Sequence, residues 1–543
     1  MSARAVMHRI RLLALPGVLI TLGYLASACT TEKIVFRDRE PFNPPVDTAA
    51  GFLGYFTVSS KLTACGNCHI GTQTQWARTK HASAWAGLQT AGAGVQASCY
   101  GCHGVSERGN KATGKVGIDF KNDSAYHDVQ CESCHGPGYR HVLDPSKATR
   151  PLAYAHVGDV TASCASCHDG SHEPYYGQWS QSRHARVNAG EGTDPSGPAF
   201  NSSCYNCHNA NQAMRVLGGA ETSNWLERDS TSGQYGAADC TTCHDPHDNR
   251  NGGQLRAPVT STDLSVNLCA RCHNRRSQPA SSFSNGARGA HGPQAAVVFG
   301  ADAGWIPPGF IYDSTQAFTS HTGPGNPRLC AGCHVTRFQV TDPATGNVVF
   351  QSVGHLFKAN PCLDSKGIPT ADDSCPINGT ARAWTGCTAS GCHATAAAAA
   401  TAFLNSKQRV KTLVDQIWVN TNTTPVNGLQ VVNAGDGGYL ATILAQQPGA
   451  FNPKDGVSPA EGAYFNAMLF ADPALGLSGQ PDGSFGVHNP FYTEALLSAT
   501  IASLKATYPF LPAPPAKVQA IMDQALSRQG VRYLPPKLLL SAR

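Results

Sequence analysis

Eight copies of the motif Cys-x-x-Cys-His are the residues of this 543-residue chain whose type and spacing could do chemistry. Two thiols on one short turn can add across the two vinyl groups of a porphyrin, and the imidazole that follows can bind the iron as proximal ligand. The spacing is therefore that of c-type haem attachment. The motif cysteines are Cys65 and Cys68, Cys99 and Cys102, Cys131 and Cys134, Cys164 and Cys167, Cys204 and Cys207, Cys240 and Cys243, Cys269 and Cys272, and Cys330 and Cys333. The eight predicted proximal ligands are His69, His103, His135, His168, His208, His244, His273 and His334.

A ninth, widened motif closes the series, with attachment cysteines Cys387 and Cys392 and proximal ligand His393. Its two extra residues give a spacing that is also used for covalent haem. Zinc ribbons use Cys-x-x-Cys pairs as well, but they do not require a histidine straight after every second cysteine. The sequence therefore predicts nine covalently bound haem c groups, and we number motifs and haems 1 to 9 in chain order.

The composition predicts how such a chain must fold. Nine haems between residues 65 and 393 leave too little protein to build an ordinary hydrophobic core there, so the porphyrins must serve as the core. With 55 Gly and 35 Pro, we expect a mostly α and irregular fold: a loop-rich wrap around nine packed haems, followed by a helical C-terminal region. In that region we expect helices at 394–419, 459–470 and 490–507, with a proline suited to the first turn of the last.

The N-terminus is typical of an export signal. Arg4, Arg9 and Arg11 form a positively charged segment, residues 12–26 are apolar, and small residues precede Cys29. We expect a signal peptide over residues 1–28. The same stretch resembles a bacterial lipobox, which favours lipidation of Cys29 and an outer-membrane lipoprotein on the periplasmic or cell-surface face. The alternative is a soluble periplasmic or extracellular protein cleaved at the same bond.

Cysteine use is consistent with an oxidising compartment. Eighteen of the 21 cysteines belong to haem motifs, which leaves Cys29, Cys362 and Cys375. Since Cys362 and Cys375 lie 13 residues apart in a loop rich in Pro, Asp and Gly, we expect them to form a disulfide. The formal net charge is +5, but the haem propionates would make the assembled protein acidic, which argues against nucleic acid as a partner.

An internal repeat organises the first six motifs. Gln75-Trp76, followed by His81, lies between motifs 1 and 2, and Gln178-Trp179, followed by His184, lies between motifs 4 and 5. Motifs 7 to 9 are spaced more widely and do not show this element. The expected organisation is a signal peptide at 1–28, a tether at 29–60, a three-haem module at 65–160, a second at 161–250, haems 7 to 9 at 251–393, and a helical region at 394–543 that supplies a distal histidine.

The distal, sixth ligand of each iron must come from histidines outside the motifs, because methionine is scarce. Eleven such histidines follow residue 28, enough to close all nine irons with two to spare. The candidates are His81, His127, His141, His184, His247, His291, His321, His355 and His488, and the expected spares are His156 and His172.

Three short elements carry a family resemblance. Cys131-Glu-Ser-Cys-His-Gly-Pro-Gly-x-x-His141, Cys240-x-x-Cys-His-Asp-Pro-His247 and the Gln-Trp element resemble those of the multihaem cytochromes c of respiratory bacteria. The chain is similar to periplasmic decahaem conduit cytochromes and to outer-surface multihaem lipoproteins of metal-reducing bacteria, and the segment around His488 resembles the tail of several such cytochromes. Nine haems fit neither a ten-haem conduit nor an eight-haem enzyme, and no Cys-x-x-Cys-Lys motif is present.

The resemblance implies a protein that transfers electrons along nine mostly bis-histidine haems in extracellular or outer-membrane respiration, such as metal reduction. Its partners would be other redox cytochromes, an outer-membrane porin or an extracellular acceptor, with a membrane attachment through Cys29. This favours an electron-transfer protein without catalytic residues over an enzyme. Two alternatives stay open: a reductase of nitrite, hydroxylamine or a sulfur oxyanion with one open haem, and a subunit of a polymeric cytochrome filament.

Overall fold

The computed structural model divides the chain into two units, Met1–Pro44 and Pro45–Arg543. The structure describes residues 50–90, 96–153, 163–170, 172–186, 205–208, 210–218, 238–280, 289–300, 302–316, 321–389, 392–420, 435–452, 456–471 and 481–535. The predicted signal peptide, the lipidation site Cys29, His156 and Cys204 lie outside these residues.

Short helices joined by loops form the region of the haem motifs. Several motifs are themselves one turn of helix, which brings both thiols and the imidazole to one side of the backbone. The helices are α1 (Ile70–Trp76), α2 (Ala84–Thr90), α3 (Ala97–His103), α4 (Cys131–His135), α5 (Tyr139–Leu143), α6 (Tyr175–Gln181), α7 (Tyr205–His208), α8 (Ala210–Leu217), α9 (Cys240–Cys243), α10 (Gln294–Phe299), α11 (Cys330–His334) and α12 (Thr385–Thr388). Motifs 1 and 4 begin with the 3-10 turns Cys65–Asn67 and Cys164–Ser166.

The described strands form three antiparallel pairs. They are β1 (Tyr55–Thr57) with β2 (Leu62–Thr63), β3 (Phe310–Tyr312) with β6 (Val531–Tyr533), and β4 (Phe338–Thr341) with β5 (Val348–Ser352). The second pair joins the C-terminal region back to the segment between motifs 7 and 8, with Ile311 opposite Arg532.

Five longer helices pack into a C-terminal bundle. They are α13 (Ala396–Ile417), α14 (Gly438–Gln446), α15 (Pro459–Phe470), α16 (Pro490–Thr507) and α17 (Ala516–Leu526). Helices α15 and α16 are buried along almost their whole length, and their apolar side chains form a single core with those of α13, α14 and α17. Side chains of α10 join the same core. The bundle therefore has the close-packed interior of an ordinary globular domain.

Local chemistry sets where the two central helices begin. The Ser458 hydroxyl accepts a hydrogen bond from the Glu461 N–H, and the Glu461 carboxylate accepts one from the Ser458 N–H. Such a capping box satisfies two backbone donors at the start of α15. At the start of α16, the Asn489 side chain accepts from the Tyr492 N–H, and both helices have proline in the first turn.

The structure confirms a mostly α, loop-rich fold and the predicted helices at 459–470 and 490–507. The helix expected at 394–419 is observed at Ala396–Ile417. Helices α14 and α17 were not predicted. Cys362 and Cys375 are joined in a disulfide. Within the ranges described, no helix is both long and apolar enough to cross a membrane.

Candidate haem sites

One continuous cavity runs through the motif region. Its volume is about 4460 Å³, and the histidines of all nine motifs line it. An ordinary ligand pocket occupies roughly 300–1,000 Å³, so this space suits an array of large groups and not a single small ligand. Eight histidines from outside the motifs also line it: His81, His172, His184, His247, His291, His321, His355 and His488.

Six of these eight histidines face a motif histidine across a gap of nearly constant width. The ring centroids lie 6.1 Å apart for His81 and His168, 6.2 Å for His247 and His135, 6.1 Å for His184 and His273, 6.0 Å for His291 and His208, 6.2 Å for His355 and His244, and 6.2 Å for His488 and His334.

This separation fits one metal ion between two imidazoles. A metal–imidazole bond is about 2.0 Å long, so two such bonds in line place the ring centroids roughly 6 Å apart. Direct ring stacking gives a shorter distance, as for His127 on Trp85, whose centroids are 3.8 Å apart. The residues of these six sites therefore fit a haem iron with two axial histidines.

Hydrogen bonds orient several of the rings. The Nδ1 of His244 lies 2.8 Å from the carbonyl oxygen of Gly253, and that of His334 lies 3.0 Å from the carbonyl of Phe357. A carbonyl can only accept, so Nδ1 carries the proton and Nε2 is left free to bind a metal. The same arrangement holds for the rings of His103, His135 and His355, whose acceptors are the carbonyls of Ala84, Pro151 and Val353.

Burial favours the neutral ring that metal binding requires. Burial first, and the neighbouring His168 second, lower the pKa of His81 to about 4. The pKa values of His184, His291, His334 and His355 are likewise lowered to about 4, with burial as the largest cause.

The paired histidines come from different modules. His81 follows motif 1 but faces His168 of motif 4, and His184 follows motif 4 but faces His273 of motif 7. In the opposite direction, His247 follows motif 6 but faces His135 of motif 3. The modules therefore interlock through their histidines.

Contacts between motif thiols reveal a partial third repeat. Pairs of neighbouring sulfur atoms join Cys65 of motif 1 with Cys131 of motif 3, Cys164 of motif 4 with Cys240 of motif 6, and Cys269 of motif 7 with Cys330 of motif 8. A second set joins Cys102 to Cys167 and Cys207 to Cys272. Motif 7 thus takes the place of motifs 1 and 4, and motif 8 that of motifs 3 and 6, which the spacing of the sequence did not reveal.

Each Gln-Trp element is tied to the backbone just before a later motif. The indole N–H of Trp76 donates to the Val129 carbonyl at 3.0 Å, just before motif 3, and that of Trp179 donates to the Ala238 carbonyl at 2.9 Å, just before motif 6. Gln178 has a further role, because its side-chain oxygen accepts from the N–H groups of Val353 and His355. Sequence reasoning singled out Gln178 as part of the repeat but missed this contact, which positions a candidate ligand 177 residues away.

The other predicted distal ligands are placed differently. His127 stacks on Trp85, and the Nδ1 of His141 lies 3.4 Å from the Thr149 hydroxyl; neither ring is among those lining the cavity. His321 lines the cavity, with its Nδ1 3.3 Å from the His488 carbonyl. His172, expected to be a spare, lines the cavity as well.

The comparisons with known proteins agree with this geometry. Residues 64–136 match the family model described as cytochrome c554 and c-prime, and residues 234–278 match the doubled CXXCH motif. The C-type polyheme cytochrome OmcB of Geobacter sulfurreducens, from strains DL-1/KN400 and ATCC 51573/PCA, is 25% identical over 311 residues. That alignment covers 52% of this chain and 36% of the relative. No solved structure matches significantly.

Both family matches coincide with motifs, and the similar relative carries many haems by its name. The motif histidines line a single cavity, and six of them face a second imidazole at the spacing of an axial pair. The chain is a multihaem c-type cytochrome.

Proposed function

We propose that the chain carries nine haem c groups and passes electrons along them through mostly bis-histidine iron. The observation that carries this proposal is the set of six histidine pairs with centroids 6.0–6.2 Å apart. Haem iron with two axial histidines is six-coordinate, exchanges single electrons with its neighbours and leaves no position for a substrate.

The six pairs support the following axial ligands. His247 serves haem 3, His81 haem 4, His291 haem 5, His355 haem 6, His184 haem 7 and His488 haem 8. His321 is the best candidate for haem 9, because it is close enough to His393 for an electrostatic interaction between the two rings. His172 is close enough to Cys102 of motif 2 for an electrostatic interaction. It therefore replaces His127 as the candidate for haem 2. His141 remains a candidate for haem 1, and His156, expected from the sequence to be a spare, is the alternative.

The thiol contacts support a continuous path. They join motifs 1 and 3, 4 and 6, and 7 and 8. Cys134 of motif 3 lies near Cys164 of motif 4, and Cys243 of motif 6 lies near Cys269 of motif 7. Of the motif cysteines that the structure describes, only Cys68 of motif 1 and Cys392 of motif 9 are exposed. We infer that electrons enter and leave the protein at haems 1 and 9.

The cellular role is extracellular or outer-membrane respiration, with metal reduction as the main candidate. Its support is the similarity to OmcB and the export signal of the sequence. The partners would be other redox cytochromes, a porin or an extracellular acceptor, and Cys29 would carry a lipid. Mass spectrometry of the mature N-terminus tests the anchor, since an unmodified Cys29 would exclude it and leave a soluble exported protein.

Low-temperature electron paramagnetic resonance (EPR) of the ferric protein, with haem quantitation, tests the main proposal. We expect nine haems per chain and low-spin signals from the iron, as bis-histidine ligation requires. A high-spin signal from one haem would instead identify an open iron and favour the reductase, which screening with nitrite, hydroxylamine and sulfur oxyanions would then pursue.

A further inference from the structure

The segment 481–489, which leads into α16, carries or contacts candidate ligands of haems 8 and 9 and reaches a ligand of haem 7 through Gln294. It carries His488, which faces His334 of motif 8. The His488 carbonyl lies 3.3 Å from the Nδ1 of His321. The carbonyls of Pro481 and Asp482 accept from the side-chain amide of Gln294, each at 3.4 Å. The side-chain oxygen of that glutamine lies 3.3 Å from the Nδ1 of His273 of motif 7.

Within this segment, a carboxylate meets a candidate axial ligand. The Nδ1 of His488 lies 2.6 Å from the Oδ1 of Asp482. The Asp482 side chain is fully buried, at 0% exposure. It also accepts hydrogen bonds from the backbone N–H and the hydroxyl of Ser484. Both of these donors are neutral groups.

Haem 6 provides an internal comparison, because its site has the same plan as that of haem 8. The proximal rings, His244 and His334, both face backbone carbonyls. The distal rings differ: the Nδ1 of His355 lies 3.1 Å from the Val353 carbonyl, whereas that of His488 faces the Asp482 carboxylate. An anionic acceptor pulls harder on the Nδ1 proton, which makes Nε2 a stronger donor to iron. A more electron-rich iron is harder to reduce.

We propose that Asp482 gives haem 8 the lowest reduction potential among haems 6 to 9. The described acceptors at the neighbouring haems are neutral: the amide of Gln294 for His273 and the carbonyl of His488 for His321. Haem 8 would lie between these neighbours, since Cys330 lies near Cys269 of motif 7 and Cys333 lies near Cys392 of motif 9. Asp482 exchanges no electron itself; it decides that haem 8 is reduced after the haems on either side. The inference rests on the proposed axial pair of His334 and His488.

The decisive variant is Asp482→Asn in the haem-loaded full chain, which keeps an acceptor oxygen and removes the charge. In a spectroelectrochemical titration, we expect one haem's share of the absorbance change to move from the low-potential end toward more positive potential. The EPR signal of one low-spin haem should shift while all haems stay low-spin. A titration curve identical to that of the wild type would overturn the proposal.

Two variants control for packing. Asp436→Asn makes the same change at another buried carboxylate of the bundle, which accepts from the Trp418 indole at 2.9 Å, and it should leave every potential unchanged. Asp482→Glu keeps the carboxylate, so the potential of haem 8 in this variant should be closer to the wild-type value than in Asp482→Asn. If Asp482→Asn releases His488 and creates a high-spin haem, the test rests on Asp482→Glu. A haem 8 potential in Asp482→Glu as positive as that in Asp482→Asn would exclude the role of charge.

His488→Ala separates the inference from the proposal on which it rests. Loss of one low-spin haem in this variant, together with an unshifted Asp482→Asn titration, would reject only the role of Asp482. If His488→Ala leaves all haems low-spin, the axial pair itself is wrong and both proposals fail. Far-ultraviolet circular dichroism and haem quantitation on each variant verify that the chain is folded and fully loaded.

Discussion

The motif region and the C-terminal bundle have different kinds of interior. In the bundle, helices α13 to α17 bury apolar side chains against one another in one extended core. In the motif region, the described apolar clusters are small, and the largest interior feature is a cavity of about 4460 Å³ lined by histidines and cysteines. One region is completed by its own side chains, and the other by the groups that it binds.

The difference extends to how distant parts of the chain are held together. The bundle uses protein contacts alone, such as the buried Glu494 carboxylate, which pairs with Arg409 at 2.6 Å and with Arg528 at 2.7 Å. In the motif region, the partners that meet across the modules are imidazoles separated by the width of an iron site. We therefore expect cofactor binding and tertiary folding to be coupled in the motif region.

The largest expected effect follows from withholding haem. Because a structural metal site rarely exists without its metal, the apo-chain should lose the fold of the motif region while keeping the helices of the bundle. Limited proteolysis followed by mass spectrometry of the apo-chain should give resistant fragments from residues 396–535, with the motif region degraded. Equal resistance of both regions to the protease would show that the motif region does not depend on haem for its fold.

His81→Ala should remove one iron ligand of haem 4. His81 faces His168 of motif 4 and not His69, which is closer in sequence. We expect one high-spin iron in the EPR spectrum of the otherwise low-spin protein. The signal should vanish when haem 4 is also removed by Cys164→Ala and Cys167→Ala, and should persist when haem 1 is removed by Cys65→Ala and Cys68→Ala. The reverse pattern would show that ligands are not exchanged between modules.

Leu496→Ala tests whether the bundle is an ordinary core. Leu496 is fully buried, at 0% exposure, so the cavity should lower the free energy of unfolding by about 2–5 kcal/mol. Denaturant titration followed by circular dichroism measures this loss, and the low-spin haem spectrum should be unchanged before unfolding. Leu404→Ala, at a position 44% exposed on α13, is the matched control and should change stability by less than about 0.5 kcal/mol.

The smallest effect concerns Glu132 in motif 3. Burial raises its pKa to about 7, although the N–H groups of Gly54, Gly138 and Leu53 donate to its carboxylate. Between the ordinary pKa of 4.5 and about 7, the folded chain holds a proton that the unfolded chain has lost. Stability should therefore fall as pH rises through this window, by up to about 3 kcal/mol.

Glu132→Gln should remove this pH dependence, since an amide does not titrate. Denaturant midpoints of both proteins, measured from pH 4.5 to 7.5, provide the comparison. If the denaturant midpoint of Glu132→Gln depends on pH as strongly as that of the wild type, the proton is bound by another group.

The sequence predicted well what depends on nearest neighbours. Motif spacing pointed to haem attachment, and the cap residues Ser458 and Asn489 precede helices predicted at the positions where they are observed. It missed α14 and α17, because neither begins with a strong capping signal. Nor does any local feature of the sequence distinguish a cavity-lining histidine, such as His172, from a solvated one.

By itself, the sequence determined the chemistry of this protein, because thioether attachment needs two thiols and an imidazole within a few residues of one another. It also determined that this part of the chain would lack a core of its own. Only the tertiary structure decided which imidazole faces which motif, that motifs 7 and 8 form a partial third repeat, and that Asp482 lies against His488. The facing imidazoles belong to residues as far apart as His334 and His488, and no local rule of sequence fixes which distant loop the folded chain brings opposite a motif histidine.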